Sequence, residues 1–152
     1  MISNELKALA ERLDLRGDFE LRVAFAVACV DRVRHLLIDD TVIGALDAGE
    51  RFVRGEAERR ELDEAARAAA DAARSHAGTN SLDGSGSAAV SASHGVAAAL
   101  AGRALDASGY AAYASVYSYA SHAVTDKAAY GDEHGWQVGK LRELSGFGGE
   151  NR

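Results

Sequence analysis

The stretch SAAVSASHGVAAALAGRALDASGYAAYASVYSYASHAV, residues 87–124, decides the fold. Within it only Arg103 and Asp106 carry a formal charge at neutral pH; the rest is Ala, Val, Leu, Tyr, Ser, Gly and two histidines. A helix that is apolar or small on every side belongs inside a protein. The stretch is too long for one ordinary helix. Asp106-Ala107-Ser108-Gly109 supplies a break, because Asp and Ser suit N-caps and Gly is a poor helix interior. The reading is a buried, alanine-rich helical hairpin with arms near 87–105 and 108–124. A membrane hairpin is the other way to bury such arms. It needs ~20 predominantly apolar residues per span. The first arm instead carries Ser91, Ser93, His94 and Arg103, with only Val90, Val96, Leu100 and Leu105 as large aliphatics.

Composition extends the helical reading to the whole chain. The 152 residues contain no proline, and alanine dominates. That composition favours helix, and the length suits one domain over residues 1–152 with a real core. The formal net charge of -6 argues against nucleic-acid binding, which wants a basic surface. A lone Cys29 excludes an internal disulfide and suits a reducing cytoplasm. The N-terminal run MISNELKALAERLDL has no continuous apolar core, so no signal peptide is expected and the protein reads as cytoplasmic.

Working outward, Leu6, Leu9 and Leu13 recur at helical spacing over residues 3–14, with Ser3 or Asn4 as cap and Gly17 as terminator. Residues 18–37 form a second helix with Val23, Val27, Val30, Val33 and Leu37 on one face and Phe25, Ala26 and Cys29 widening it. Asp31 and His35 stand four apart, which reads as a charge pair. Residues 40–53 follow, capped by Asp40 or Thr41, facing inward through Ile43, Leu46 and Phe52 or Val53, and ended by Gly55. Residues 58–76 carry an alanine-rich inner face and a charged outer one, where Arg59–Asp63, Arg60–Glu64, Asp63–Arg67 and Arg67–Asp71 stand four apart as opposite charges and are expected to pair. Residues 78–86 are the one long loop; no P-loop pattern accompanies its glycines. After the hairpin, Gly131 breaks the chain and residues 132–144 make a last helix packing Trp136, Leu141 and Leu144. Residues 145–152 fray. The fold class is all-α, a bundle of about six or seven helices around the hairpin.

No catalytic constellation is legible. Five histidines, at 35, 76, 94, 122 and 134, lack the helical spacing of metal sites, so neither metal nor cofactor is expected. Cys29 lies in an apolar helix and reads as an inert buried thiol. His94 and His122 lie at similar distances from the expected turn and could approach across the hairpin. A core histidine, satisfied inside the bundle, is the plainer reading of His94. Tyr110, Tyr113 and Tyr117 form a stripe at spacings of three and four. Such a stripe packs a core with hydroxyls at the rim, or walls a ligand site.

Four blocks resemble a known family. They are LRVAFAVACVDRVRHLL at 21–37, ALDAGERFVRGEAERRELDEAARAAADAAR at 45–74, AAVSASHGVAAALAGRALDASGYAAYA at 88–114 and WQVGKLREL at 136–144. Together they resemble the Imm-5 type of small α-helical bacterial immunity proteins. Phe52 departs from a common Trp, Arg103 from a common second hairpin histidine, and Arg142 from a frequent Pro. The resemblance implies an all-helical domain that protects its host by binding a toxin, and it brings no catalytic residues. The expected function is therefore non-catalytic, stoichiometric neutralisation of a toxin; the alternative is sequestration of a small molecule such as a natural product or antibiotic. The expected partner is a toxin protein or small-molecule toxin. Candidate binding residues are those that break the bland pattern of their helices: Arg32, Arg54, Glu56, His94, Tyr113, Tyr117, His122 and Trp136. Arg, Tyr and Trp dominate binding hot spots.

Overall fold

Seven α-helices and two short 3-10 turns account for the secondary structure of the computed structural model, which describes residues 2–75, 85–117 and 127–146. The helices are α1 (Asn4–Arg12), α2 (Phe19–Asp31), α3 (Asp40–Val53), α4 (Arg59–Ser75), α5 (Ser85–Leu100), α6 (Ala104–Tyr117) and α7 (Lys127–Ser145). No strand occurs among the described residues, and one continuous cluster of buried apolar side chains draws on all seven helices. The protein is an all-α helical bundle. None of its helices, among the described residues, is long and apolar enough to cross a membrane.

The alanine-rich hairpin is α5 and α6, and it is the centre of the bundle. Helix α5 packs against α2, α3, α4 and α6. Burial runs round it through Ala88, Ala92, Val96, Ala98, Ala99 and Leu100. The expected break at 106–109 is not there: those four residues lie inside α6, with Ala107, Ser108 and Gly109 buried. Helix α5 ends instead at Gly102, whose φ of +79° suits a residue without a Cβ. The Gly102 amide donates to the Ala99 carbonyl at 3.1 Å and the Arg103 amide to the Ala98 carbonyl at 2.9 Å, the paired bonds of a Schellman cap. Neighbours fix that turn. A Cβ on Gly102 would lie 2.8 Å from Phe19 Cε1, and Arg22 Nε donates to the Gly102 carbonyl at 2.9 Å. Ala107 and Ser108 are good enough helix residues once buried contacts hold them, and Ser108 Oγ bonds back to the Leu105 carbonyl at 2.7 Å.

Elsewhere the apolar periodicity is realised with local shifts. Ser3 caps α1 by accepting from the Leu6 amide, and Asp18 caps α2 by accepting from the Leu21 amide. Asp39, not Asp40 or Thr41, caps α3, accepting from the Thr41 amide at 2.8 Å. Helix α2 stops at Asp31 and tightens into a 3-10 turn over Arg34–Leu36. With about 3.0 residues per turn, Asp31 meets Arg34 at 3.1 Å rather than His35, which is exposed. Val33 and Leu37 nevertheless stay buried, as the apolar face required. On α4, Arg59–Asp63 and Arg60–Glu64 pair as spaced, while Asp71 pairs with Arg74 instead of Arg67.

Helix α7 begins at Lys127 and runs through Gly131 without a break. Gly131, Gly135 and Gly139 recur every fourth residue on its open side, where an added Cβ would meet nothing. The other side buries Tyr130, Glu133, Gln137, Val138 and Leu141. Burial on that side outweighs a cost of about 1 kcal/mol per exposed interior glycine. Leu144 was expected inside but is 37% exposed, and Val53 on α3 is 43% exposed. The expected loop at 78–84, the end of the second arm beyond Tyr117 and the fraying beyond Gly146 lie outside the described residues.

Gly95 has the opposite surroundings to Gly135. Its Cβ would stand 3.0 Å from Val30 Cγ1 and 3.3 Å from Tyr110 Cβ, so α2, α5 and α6 meet there. Gly95→Leu is expected to overpack this junction and cost about 1–3 kcal/mol or more. Gly135→Ala is expected to stabilise by about 0.5–1 kcal/mol. Paired thermal melts check the contrast; equal melting temperatures for the two variants would mean that the two helix faces are not as described.

Candidate functional site

The corrected turn at 101–103 resets the register of the hairpin. His94 on α5 then faces Tyr110 on α6, with ring centroids 5.6 Å apart and planes inclined by 25°. The expected pairing of His94 with His122 assumed a turn several residues later; His122 itself lies outside the described residues. His94 is half-buried rather than enclosed in the core. Beside it Ser91 Oγ donates to the Tyr110 carbonyl at 2.9 Å, tying the arms together.

This pair stands on the wall of an open groove of about 730 Å³. Helix α1 contributes Lys7 to the lining, α5 contributes Ser87, Val90, Ser91 and His94, and α6 contributes Asp106, Tyr110 and Tyr113. Arg103, at the turn, bonds the carboxylate of Asp106 with its Nε at 3.1 Å and an Nη at 3.0 Å. The groove thus offers aromatic faces, hydroxyls and a paired charge within one concavity. Its size falls in the range of ~300–1,000 Å³ typical of small-molecule sites.

Tyr113 continues the aromatic wall. Its ring stacks on Tyr117 with centroids 4.3 Å apart, although Tyr117 does not itself line the groove. Desolvation, hydrogen bonding with Tyr117 and the nearby hydroxyls of Tyr117 and Tyr130 push the Tyr113 phenol up to about 12. The neutral phenol is therefore the form the fold favours.

The remaining candidates lie elsewhere and divide into two groups. Arg32 caps the end of α2 and grips the carboxylate of Glu133 on α7 in a two-pronged pair, with Nε 2.9 Å from Oε2 and an Nη 2.9 Å from Oε1. Its guanidinium also lies 4.0 Å from the centre of the Trp136 ring. Glu133 is 5% exposed and the Arg32 side chain 39%. This trio joins α2 to α7, a packing role rather than an open site. Cys29 lies beneath it, fully buried; burial first and the Glu133 charge second raise its thiol pKa, against a lowering by Arg32. That leaves it a poor nucleophile, as its apolar helix suggested. Arg54 and Glu56, just past α3, pair with each other at 3.2 Å on the surface.

Several side chains that organise these places carried no sequence signal. Glu133 and Gln137 sit in a mostly polar run, yet Gln137 is fully buried and donates to the Ser108 carbonyl at 3.0 Å. Arg34 gathers Asp31, Asp47 and Glu50 between α2 and α3. No group of three or more His, Cys, Asp or Glu among the described residues is placed to hold a metal ion. No family model, curated protein or solved structure matches the chain.

Because its raised pKa favours the protonated phenol, Tyr113 contributes stability that is present below pH about 10 and is lost as pH rises toward about 12. Tyr117→Phe removes the hydrogen-bonding hydroxyl and is expected to bring the Tyr113 transition back toward the ordinary tyrosine range. Tyrosinate absorbance followed through an alkaline titration, with Tyr113→Phe identifying the late step, measures this; an unchanged late step in Tyr117→Phe would contradict the hydrogen bond between the two hydroxyls.

Proposed function

We propose that this chain is a self-protection protein that neutralises a toxic small molecule by occupying itself with it, one for one, in the groove between α1, α5 and α6. The observation that carries the reading is the convergence of His94, Tyr110 and Tyr113 on one groove of ligand size. Aromatic side chains lining a concavity, with a few polar groups to fix orientation, are what small-molecule sites present. Self-protection rests on the resemblance of the four sequence blocks to bacterial immunity proteins. Binding without turnover fits the absence, among the described residues, of a legible nucleophile-and-base pair or metal set.

A protein toxin is the second reading. It is favoured by the outer corner where α3 ends. There the exposed Val53 and Leu144 flank a concavity lined also by Phe52 and the acidic Asp18 and Glu20. The Arg54–Glu56 pair stands at the same end of α3. An exposed apolar patch with a charged rim suits a protein partner.

The two readings separate by mutation. For a small molecule, Tyr113→Ala or His94→Ala is expected to weaken binding by about tenfold or more, while Arg54→Ala leaves it unchanged. For a protein toxin the pattern reverses, with Arg54→Ala costing about 2 kcal/mol. Host compounds and the neighbouring gene product are mixed with the protein, and protection is titrated. Protection that saturates at a fixed molar ratio supports occupation. Protection by trace protein, with the compound chemically altered, would mean catalysis and end this reading.

A further inference from the structure

A second concavity adjoins the groove at the His94–Tyr110 pair. It has a volume of about 390 Å³ and opens between α4 and the hairpin. His94, Tyr110 and Arg103 line both, so the two share a wall and meet at the stacked rings. The second concavity exists because its floor is alanine: Ala66 and Ala70 from α4 face Ala97, Ala98 and Ala101 from the hairpin. A floor of methyl groups leaves a channel that longer side chains would fill.

The rim of that channel has one sign of charge. Its lining holds Arg67, Arg74 and Arg103 and no carboxylate. Arg74 is paired with Asp71 and Arg103 with Asp106. Arg67 makes no ion pair among the described residues; its helical neighbour Asp63 bonds Arg59 at 3.2 Å, and Asp71 bonds Arg74. In the adjoining groove stands Lys7, exposed and likewise without an ion pair among the described residues. A chain of net charge -6 therefore places cations without an ion-pair partner among the described residues along this aromatic-walled surface. A guanidinium with free donors is suited to an oxyanion, which it can bind in a two-pronged fashion.

Resting on the small-molecule reading above, we infer that the ligand is an elongated organic anion. Its flat apolar body lies against the His94, Tyr110 and Tyr113 rings, and its oxyanion reaches past them over the alanine floor to Arg67. The rings supply stacking area that any planar ligand can use. The arginine rim supplies the discrimination for charge.

Two fluorescent probes of similar shape test this: anilinonaphthalene sulfonate, which is anionic, and phenylnaphthylamine, which is not. The sulfonate is expected to bind saturably at one site per chain and more tightly than the amine. Arg67→Gln is expected to weaken the sulfonate roughly three- to tenfold and the double variant Arg67→Gln with Arg74→Gln by about tenfold or more. Neither change should alter amine binding. Raised salt should weaken only the sulfonate. Tyr113→Ala should weaken both probes. Arg67 and Arg74 are exposed on α4, so thermal melts of these variants should match the parent. If both probes bind equally and the arginine variants change neither, the anion preference is wrong and the groove reading survives. If neither probe binds, or if Tyr113→Ala leaves both unchanged, the groove reading falls and the anion preference with it.

Discussion

At Gly95 a single hydrogen atom holds the centre of the bundle together. Val30 on α2 and Tyr110 on α6 both come within 3.0–3.3 Å of where a Cβ would be. Gly49 does the same for α3, with Leu100 and Val27 at 3.0 and 3.3 Å. Close approach of this kind brings many weak dispersion contacts into range at once. It also explains the composition. A helix touched by four others has only the narrow groove-facing stripe on which to carry longer side chains, so α5 is otherwise written mostly in alanine, serine and glycine. The bulk that fills the core comes from its neighbours: Phe25, Val27 and Val30 from α2, Leu46 from α3, Leu62 from α4.

Most of the fold was legible because it depends on periodicity. The apolar faces of α1, α2 and α4, and the bounds of α3, follow directly from where Leu, Val and Ala recur. Buried helix ends were harder. Two sites in the hairpin competed for the turn, Asp106–Gly109 by local propensity and Gly102 by a single glycine. Propensity lost because Phe19 and Arg22, some 80 positions earlier, close around Gly102 and hold its carbonyl. Nothing local announces such a partner. Gly131 misled for the converse reason: a glycine on an open helix face interrupts nothing when the opposite face is well buried.

The candidate site was legible in part, and the limit has the same origin. His94 and Tyr113 stood out as polar and aromatic residues on otherwise bland helices, and the groove brings them together. Their true companion, Tyr110, was visible as part of the stripe, but its position opposite His94 follows only from the turn. Trp136 and Arg32 were also conspicuous. Their chemistry is spent on each other and on Glu133, inside the joint between α2 and α7. A residue type that makes strong contacts makes them as readily within a fold as with a partner, so sequence conspicuousness alone does not separate the two uses. Arg67 was the reverse case. It looked like one more solvated charge on α4, and becomes interesting only because its expected carboxylate partners bond other arginines.

The channel beside Arg67 also follows from the packing constraint at the centre. Alanine lets α5 lie close to α4 and α6 along the buried faces. Where these helices reach the surface, alanine is too short to fill the space between them, so Ala66, Ala70, Ala97 and Ala101 are left as a floor. A core of larger residues would have sealed that gap with side chains and pushed the helices apart at Gly95. The groove and the tight junction are thus two results of one choice of residue size. Because its walls are helices fixed by that junction, a ligand would enter a space already formed. It would pay little of the ordering cost that weakens binding to flexible sites. Such economy suits the occupation without turnover proposed above, in which tight binding would be the whole of the task.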